Sequence, residues 1–241
     1  MLPEIGPHFP HPIKSVAEAI ALAEKTYDVK SSLDYMYKAI TLTRHLLEGQ
    51  VPLIGFCGAP WTLFAYMVEG GGSKTFSKAK EFLFAHPKES RALLNKIGQV
   101  GAEFLVEQVR AGAQTVQIFD SWAGELGKQD FVEFELPVLK NMLAIIRKSE
   151  PNVPVTVFAK GANYAIPDLV EAGFNTIGLD WNISPLEARR LAGDRPVCLQ
   201  GNLDPGTLLD DNETIDKAVK EMFLGELGFL AGEAGPKYGH I

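Results

Sequence analysis

Two aspartates, Asp180 and Asp204, stand at the ends of short apolar runs, where a carboxylate can take or give a proton. Both also suit loops, because an aspartate readily bonds its own backbone there. Lys160 follows a third run, where its ammonium can meet a carboxylate or simply face water at a rim. Trp61, Trp122 and Trp181 each follow a run as well. Together they suggest a wide aromatic pocket with a few polar contacts, although such rings can equally plug a barrel mouth. Ser121 has no GxSxG context, so it reads as a turn residue or a binding hydroxyl rather than a nucleophile. Tyr66 lies on an apolar helical stretch and reads, on its own, as a core tyrosine with a bonded hydroxyl. The cluster Gly70-Gly71-Gly72-Ser73-Lys74 matches neither a Walker nor a Rossmann pattern. It is expected to break one helix and start the next at Ser73, or to turn backbone amides toward an anion.

The elements that must position these residues follow from periodicity. Five runs rich in β-formers occur at 52–57 (PLIGFC), 115–120 (TVQIFD), 153–158 (VPVTVF), 175–180 (NTIGLD) and 197–201 (VCLQG). Continuous apolarity suits parallel strands covered on both faces. Helical segments are expected at 15–25, 32–48, 60–69, 73–85, 88–111, 128–148, 166–172 and 185–191. Alternating β and α demands right-handed parallel crossovers, hence an α/β fold, either a doubly wound sheet or a barrel.

Composition narrows the class of function. The 241 residues carry 23 Lys and Arg against 30 Asp and Glu, a formal net charge of −7. No overall basic field exists to draw in nucleic acid. Residues 51–68 lack charge, but Pro52, Gly55, Gly58 and Pro60 break a spanning helix, so no membrane partner is expected. Cys57 and Cys198 lack a CxxC partner and read as reduced thiols of an intracellular protein. His8, His11, His45, His86 and His240 fall in no metal spacing, so no metal is expected, and His8 and His11 sit in a proline-rich turn.

Five segments are similar, in order, to the uroporphyrinogen decarboxylase family. They are VPLIGFCGAPWTLFAYMVEGGGSKTF (51–76), AGAQTVQIFDSWAGELG (111–127), VFAKGANY (157–164), GLDW (178–181) and LQGNLDP (199–205). The resemblance covers nearly the whole chain. It implies a (β/α)8 TIM-barrel type fold, with about five of the eight strands present, and residues 1–241 as one incomplete barrel domain. The implied reaction removes carboxyl groups from the four acetates of uroporphyrinogen III, giving coproporphyrinogen III in haem biosynthesis, without cofactor. A tetrapyrrole partner, a homodimer and a cytoplasmic location, or a plastid one behind a transit peptide, are implied with it. Matched residue by residue, Tyr66, Ser121 and Phe56 fall on substrate-binding positions, and Phe56 and Trp61 would desolvate the macrocycle.

The family's RQAGRY-like motif, its FSDIL-like aspartate segment and its NLGHG histidine segment do not occur in this sequence. No catalytic residue is therefore assigned, and His240 is not taken for that histidine. The expectation is a segment of an active decarboxylase, against a non-catalytic barrel fragment. A corrinoid or thiol methyltransferase relative is a further alternative, disfavoured by the lack of any His-x-Cys pair.

Overall fold

A computed structural model describes residues 8–230; the start of the proline-rich turn and His240 lie outside the described residues. Helices α1 (Val16–Glu24), α2 (Val29–Ser32) and α3 (Asp34–Leu46) lead into strand β1 (Ile54–Gly58). Then come α4 (Pro60–Glu69), α5 (Ser77–Ala85), α6 (Pro87–Arg110) and β2 (Thr115–Asp120). After β2 run α7 (Lys128–Asp130), a π-helical turn at Phe131–Glu135, α8 (Leu136–Ser149) and β3 (Val155–Ala159). The rest is α9 (Ile166–Ala172), β4 (Thr176–Gly178), α10 (Pro185–Ala192), β5 (Cys198–Gln200) and α11 (Asn212–Leu224).

All five strands pair in parallel in the order β1-β2-β3-β4-β5, forming an open sheet. Four begin one or two residues later than their apolar runs, three of them just beyond Pro52, Pro154 and Pro196, since proline has no N–H for the ladder. Side chains alternate across the sheet. Ile118, Val157, Ile177 and Leu199 share one register row and are buried beneath the helices. On the other, concave face lies the row Gly58, Phe119, Phe158, Gly178 and Gln200, with Phe56 one step below it on β1. The runs are thus less uniformly covered than expected: Phe56 is 62% exposed.

Among the described residues no strand pairs with the outer side of β1. Buried Gln108 of α6 fills the place instead: its Nε2 donates to the Phe56 carbonyl (2.9 Å), and its Oε1 accepts the Phe56 N–H (3.0 Å). A side-chain amide thereby imitates one rung of a ladder.

Helix starts depart from expectation in two places. The helix expected at 32–48 is α3, and before it stands the short α2, which Asp28 caps by accepting the Ser31 N–H (3.0 Å). The helix expected from Ser73 begins at Ser77. Glu69 caps it, accepting from the Lys78 (2.8 Å) and Ala79 (3.2 Å) N–H groups, while Ser73 Oγ accepts from Phe76 in the preceding turn.

The segment expected as one helix at 128–148 carries the π turn, and Pro137 explains it. Pro137 has no N–H to offer the Glu133 carbonyl four residues back. Arg91 Nη1 donates to that carbonyl instead (2.8 Å). The extra residue in the turn rotates Glu135 into the core.

Helix α6 lies against α8 at Gly98, where a Cβ would stand 2.4 Å from Val138 Cγ1. Alanine gains about 1 kcal/mol of helix propensity over glycine, but overpacking costs about 1–3 kcal/mol, and at that distance the clash dominates. Gly98→Ala is expected to lower stability in a urea titration. Val138→Ala in the same chain should recover part of the loss, as a favourable coupling in a double-mutant cycle.

Candidate active site

The functional rim is built around the first turn of α4. Ala59 precedes it with no side chain to cap it, and Pro60 at the first helical position has no N–H to satisfy. The Trp61 N–H is capped from across the fold, donating to Glu135 Oε2 (2.9 Å). One residue on, the Thr62 hydroxyl donates to Asp120 Oδ1 at the end of β2 (2.6 Å). The same Thr62 oxygen accepts the Trp122 N–H (3.2 Å), and Trp61 Nε1 donates to the Trp122 carbonyl (2.9 Å). Two successive residues of one helical turn thus hold both buried acids and fix the turn carrying Ser121 and Trp122.

Both acids are fully buried. Burial pushes the Asp120 carboxyl up to about 7, against the opposing hydrogen bond from Thr62. Burial first, and the neighbouring Asp120 charge second, hold Glu135 well above the usual carboxylate range, with the Trp61 N–H pulling the other way. Tyr164, whose hydroxyl donates to the Leu126 carbonyl (2.6 Å), is pushed up to about 12 by burial and by Asp120 and Asp130.

From this base the expected site residues reach the rim. The Tyr66 oxygen accepts from Trp122 Nε1 (2.7 Å), which leaves its phenolic hydrogen available to a ligand. Phe76, fully buried, packs against the rings of Trp122 (4.7 Å) and Tyr66 (6.1 Å). Ser121 is half-buried, and among the described residues its hydroxyl makes no hydrogen bond that would occupy it. Tyr66 and Ser121 are therefore joined through Trp122. Phe56 stands apart from that network, as the first ring of a concave row with Phe119 (5.8 Å) and Phe158 (6.1 Å). Since Phe119 leads directly into Asp120 and Ser121, wall and rim share one strand.

A family model described as "Uroporphyrinogen decarboxylase (URO-D)" matches residues 1–241. A curated uroporphyrinogen decarboxylase of Schizosaccharomyces pombe is 52% identical over 227 residues, covering 92% of this chain and 63% of that protein. The Danio rerio protein of the same name is 46% identical over 238 residues, covering 96% of this chain and 64% of its own length. The chain belongs to the uroporphyrinogen decarboxylase family. It spans less than two thirds of the length of these relatives. The open sheet of five parallel strands is accordingly part of the family's TIM barrel, and the C-terminal strand ends carrying Ser121 and Trp122 form the side where such folds build their sites.

Several other expectations for this decarboxylase-family chain resolve as structural roles. Trp61 does not line a pocket: it is fully buried and stacks on Phe64 (5.9 Å) because its indole N–H is turned inward to Trp122. Asp180 accepts from the Asn182 N–H (2.8 Å), the Gly161 N–H and the Asn163 amide, which ties the β3 and β4 loops together. Asp204 caps a 3-10 turn at the Gly206 N–H (2.8 Å). Lys160 lies over the exposed Trp181 ring at 5.2 Å. The glycine cluster is paired rather than open, since the Gly70 carbonyl accepts the Phe9 N–H (2.8 Å) and Gly71 bridges His8. Cys57 is inert, its buried thiol pushed up to about 12.

Asp120 and Glu135 were not among the expected site residues. A signal existed: Glu135 interrupts an apolar stripe two residues before Pro137. Thr62→Val keeps shape but removes the donor to Asp120, leaving a buried acceptor unmet, which costs about 1–3 kcal/mol. Thr62→Val is expected to lower unfolding stability by that amount, and Thr62→Ser by clearly less.

Proposed function

We propose that this chain forms the substrate-holding wall and rim of a uroporphyrinogen decarboxylase, which converts the four acetates of uroporphyrinogen III to methyl groups. The observation that carries the reading is the joining of Tyr66 and Ser121 through Trp122 beside an exposed aromatic wall. Tyr66 and Ser121 donate hydroxyl hydrogens to acetate or propionate carboxylates, and Phe56 covers the macrocycle and excludes water.

In each cycle a ring is protonated, and the bond between the acetate methylene and its carboxylate breaks. CO₂ leaves, and the bonding pair enters the protonated pyrrole. A proton then adds to the methylene carbon, giving the methyl group, and the ring releases the proton it took up. The reduced tetrapyrrole is its own electron sink, so the reading assigns no cofactor. It assigns no catalytic acid to these 241 residues either. What the protein contributes is orientation of each acetate and preorganised donors at developing charge.

A homodimer, and a cytoplasmic or plastid setting, belong to the same proposal and draw on the family resemblance. Among the described residues no helix is long and apolar enough to cross a membrane.

The test compares two proteins: the 241-residue chain, and the same chain joined to any coding sequence found on either side. Coproporphyrinogen from uroporphyrinogen is expected from the longer protein, and its absence there refutes the reaction. In the active protein, Tyr66→Phe and Ser121→Ala each remove a hydrogen bond to a charged group worth about 1.5–3 kcal/mol, so kcat/KM should fall by about 10- to 150-fold. Unchanged kinetics in both variants would remove these two residues from the site.

A further inference from the structure

The two buried acids leave one oxygen each without a partner: Asp120 Oδ2 and Glu135 Oε1. Their other oxygens are bonded to Thr62 and Trp61, which are successive residues of one helical turn, and the Asp120 charge acts on Glu135, so the two carboxyl groups are neighbours in the core. Two buried acceptors without partners are a net loss for the fold, since each has given up water and gained nothing. A proton placed between them converts one acceptor into a donor and satisfies both.

We infer that Asp120 and Glu135 share one proton, carried between Asp120 Oδ2 and Glu135 Oε1, and that this pair positions the turn bearing Ser121 and Trp122, and through Trp122 the Tyr66 hydroxyl. The proton site stands on hydrogen-bond accounting alone. Its consequence for substrate rests on the proposed decarboxylase reading, and the readouts below need no substrate.

The surroundings offer no competing way to neutralise the pair. From β2 and the π turn come the acids themselves, and from α4 the neutral Thr62 hydroxyl and Trp61 N–H. From the 3-10 turn after β3 comes the Tyr164 phenol, and Asp130 of α7 acts on that phenol too. Lys160, the basic residue beginning the loop after β3, points its ammonium over Trp181. Among the described residues none of the ion pairs involves Asp120 or Glu135. A proton is then the available counter-charge.

The route to the rim is short. Asp120 holds the Thr62 hydroxyl, whose oxygen accepts the Trp122 N–H, and the Trp122 indole donates to Tyr66. If the proton is lost, two negative charges face each other at the base of that chain, and repulsion acts on the turn at Ser121 first. Asp120 and Glu135 are positioning residues in this sense, since neither reaches the concave face.

Three variants of the full 241-residue chain test the inference. In Glu135→Gln, the new amide oxygen accepts the Trp61 N–H and its NH₂ donates to Asp120. In Asp120→Asn, the amide oxygen accepts from Thr62 and its NH₂ donates to Glu135. Either single variant gives the remaining carboxylate a donor without a bound proton. In the double variant two NH₂ groups face each other, and neither has an acceptor there.

The wild-type folded state keeps a proton that the unfolded chain releases as pH rises above ordinary carboxylate values, so stability falls with rising pH until the pair ionises. The expected result is therefore a wild-type unfolding midpoint that falls more between pH 5 and pH 8 than that of either single variant. The double variant should be less stable than the sum of the two singles. Infrared difference spectra at pH 6 should show a protonated-carboxyl carbonyl band in the wild type that Glu135→Gln lacks. In a Trp181→Phe background the two remaining tryptophans both belong to the network, and their emission should titrate where the infrared band does. Additive single variants, a pH slope that Glu135→Gln leaves unchanged, or a carboxyl band that survives that substitution would each overturn the shared proton. An emission that does not follow the band would overturn the positioning role.

Discussion

The fold turns on how one short helix is started. Helix α4 follows β1 after a single residue, Ala59, and begins with Pro60, so nothing local can satisfy its first free N–H groups. Glu135 does so from the π turn, and Thr62 in the next position reaches to Asp120. A requirement that is usually met within four residues is here met across the fold. It ties β1, α4, β2 and the segment before α8 into one unit, and no one of them can shift without breaking a buried bond.

That unit explains why the concave face looks as it does. Because the helix-facing rows of the strands are packed with Ile118, Val157 and Ile177, the opposite face is left to carry Phe56, Phe119 and Phe158. Gly178 stands beside Phe158 in register, where a Cβ would come within 2.9 Å of its ring. The aromatic row thus depends on a glycine in the next strand. Phe56, at the open side of the sheet, is held in place through its backbone by Gln108 rather than by another strand.

The strands, their order and their parallel sense were legible in the sequence because apolar runs and helical periods report burial directly. What could not be read was any feature set by partners distant in the chain. The start of α5 depends on Glu69, which reaches over the glycine cluster, and the break before α8 depends on Pro137 and on Arg91, which takes up the Glu133 carbonyl. Trp61 illustrates the limit most plainly. Its place after a strand suggested a pocket wall, but the direction of its indole is decided by the Trp122 carbonyl 61 residues later. Asp120 was passed over for the same reason: beside Ser121 it resembles any strand-end acid, and only the position of Glu135 makes it unusual.

The chain's net charge of −7 adds a constraint on how an anionic macrocycle can be held. Near the rim, Lys80 is paired with Glu125 (3.1 Å), and Lys160 lies over Trp181. In the proposed site, carboxylates are therefore met on this part of the barrel by neutral donors, Tyr66 and Ser121, rather than by these lysines. Neutral donors bind weakly unless they are oriented in advance, because they have no long-range field with which to draw a ligand in. Their orientation must come from beneath. In the proposed site it does so through the bonds of Trp122 and Thr62, which would make the buried acids part of how the surface recognises its ligand, although they are shielded from it.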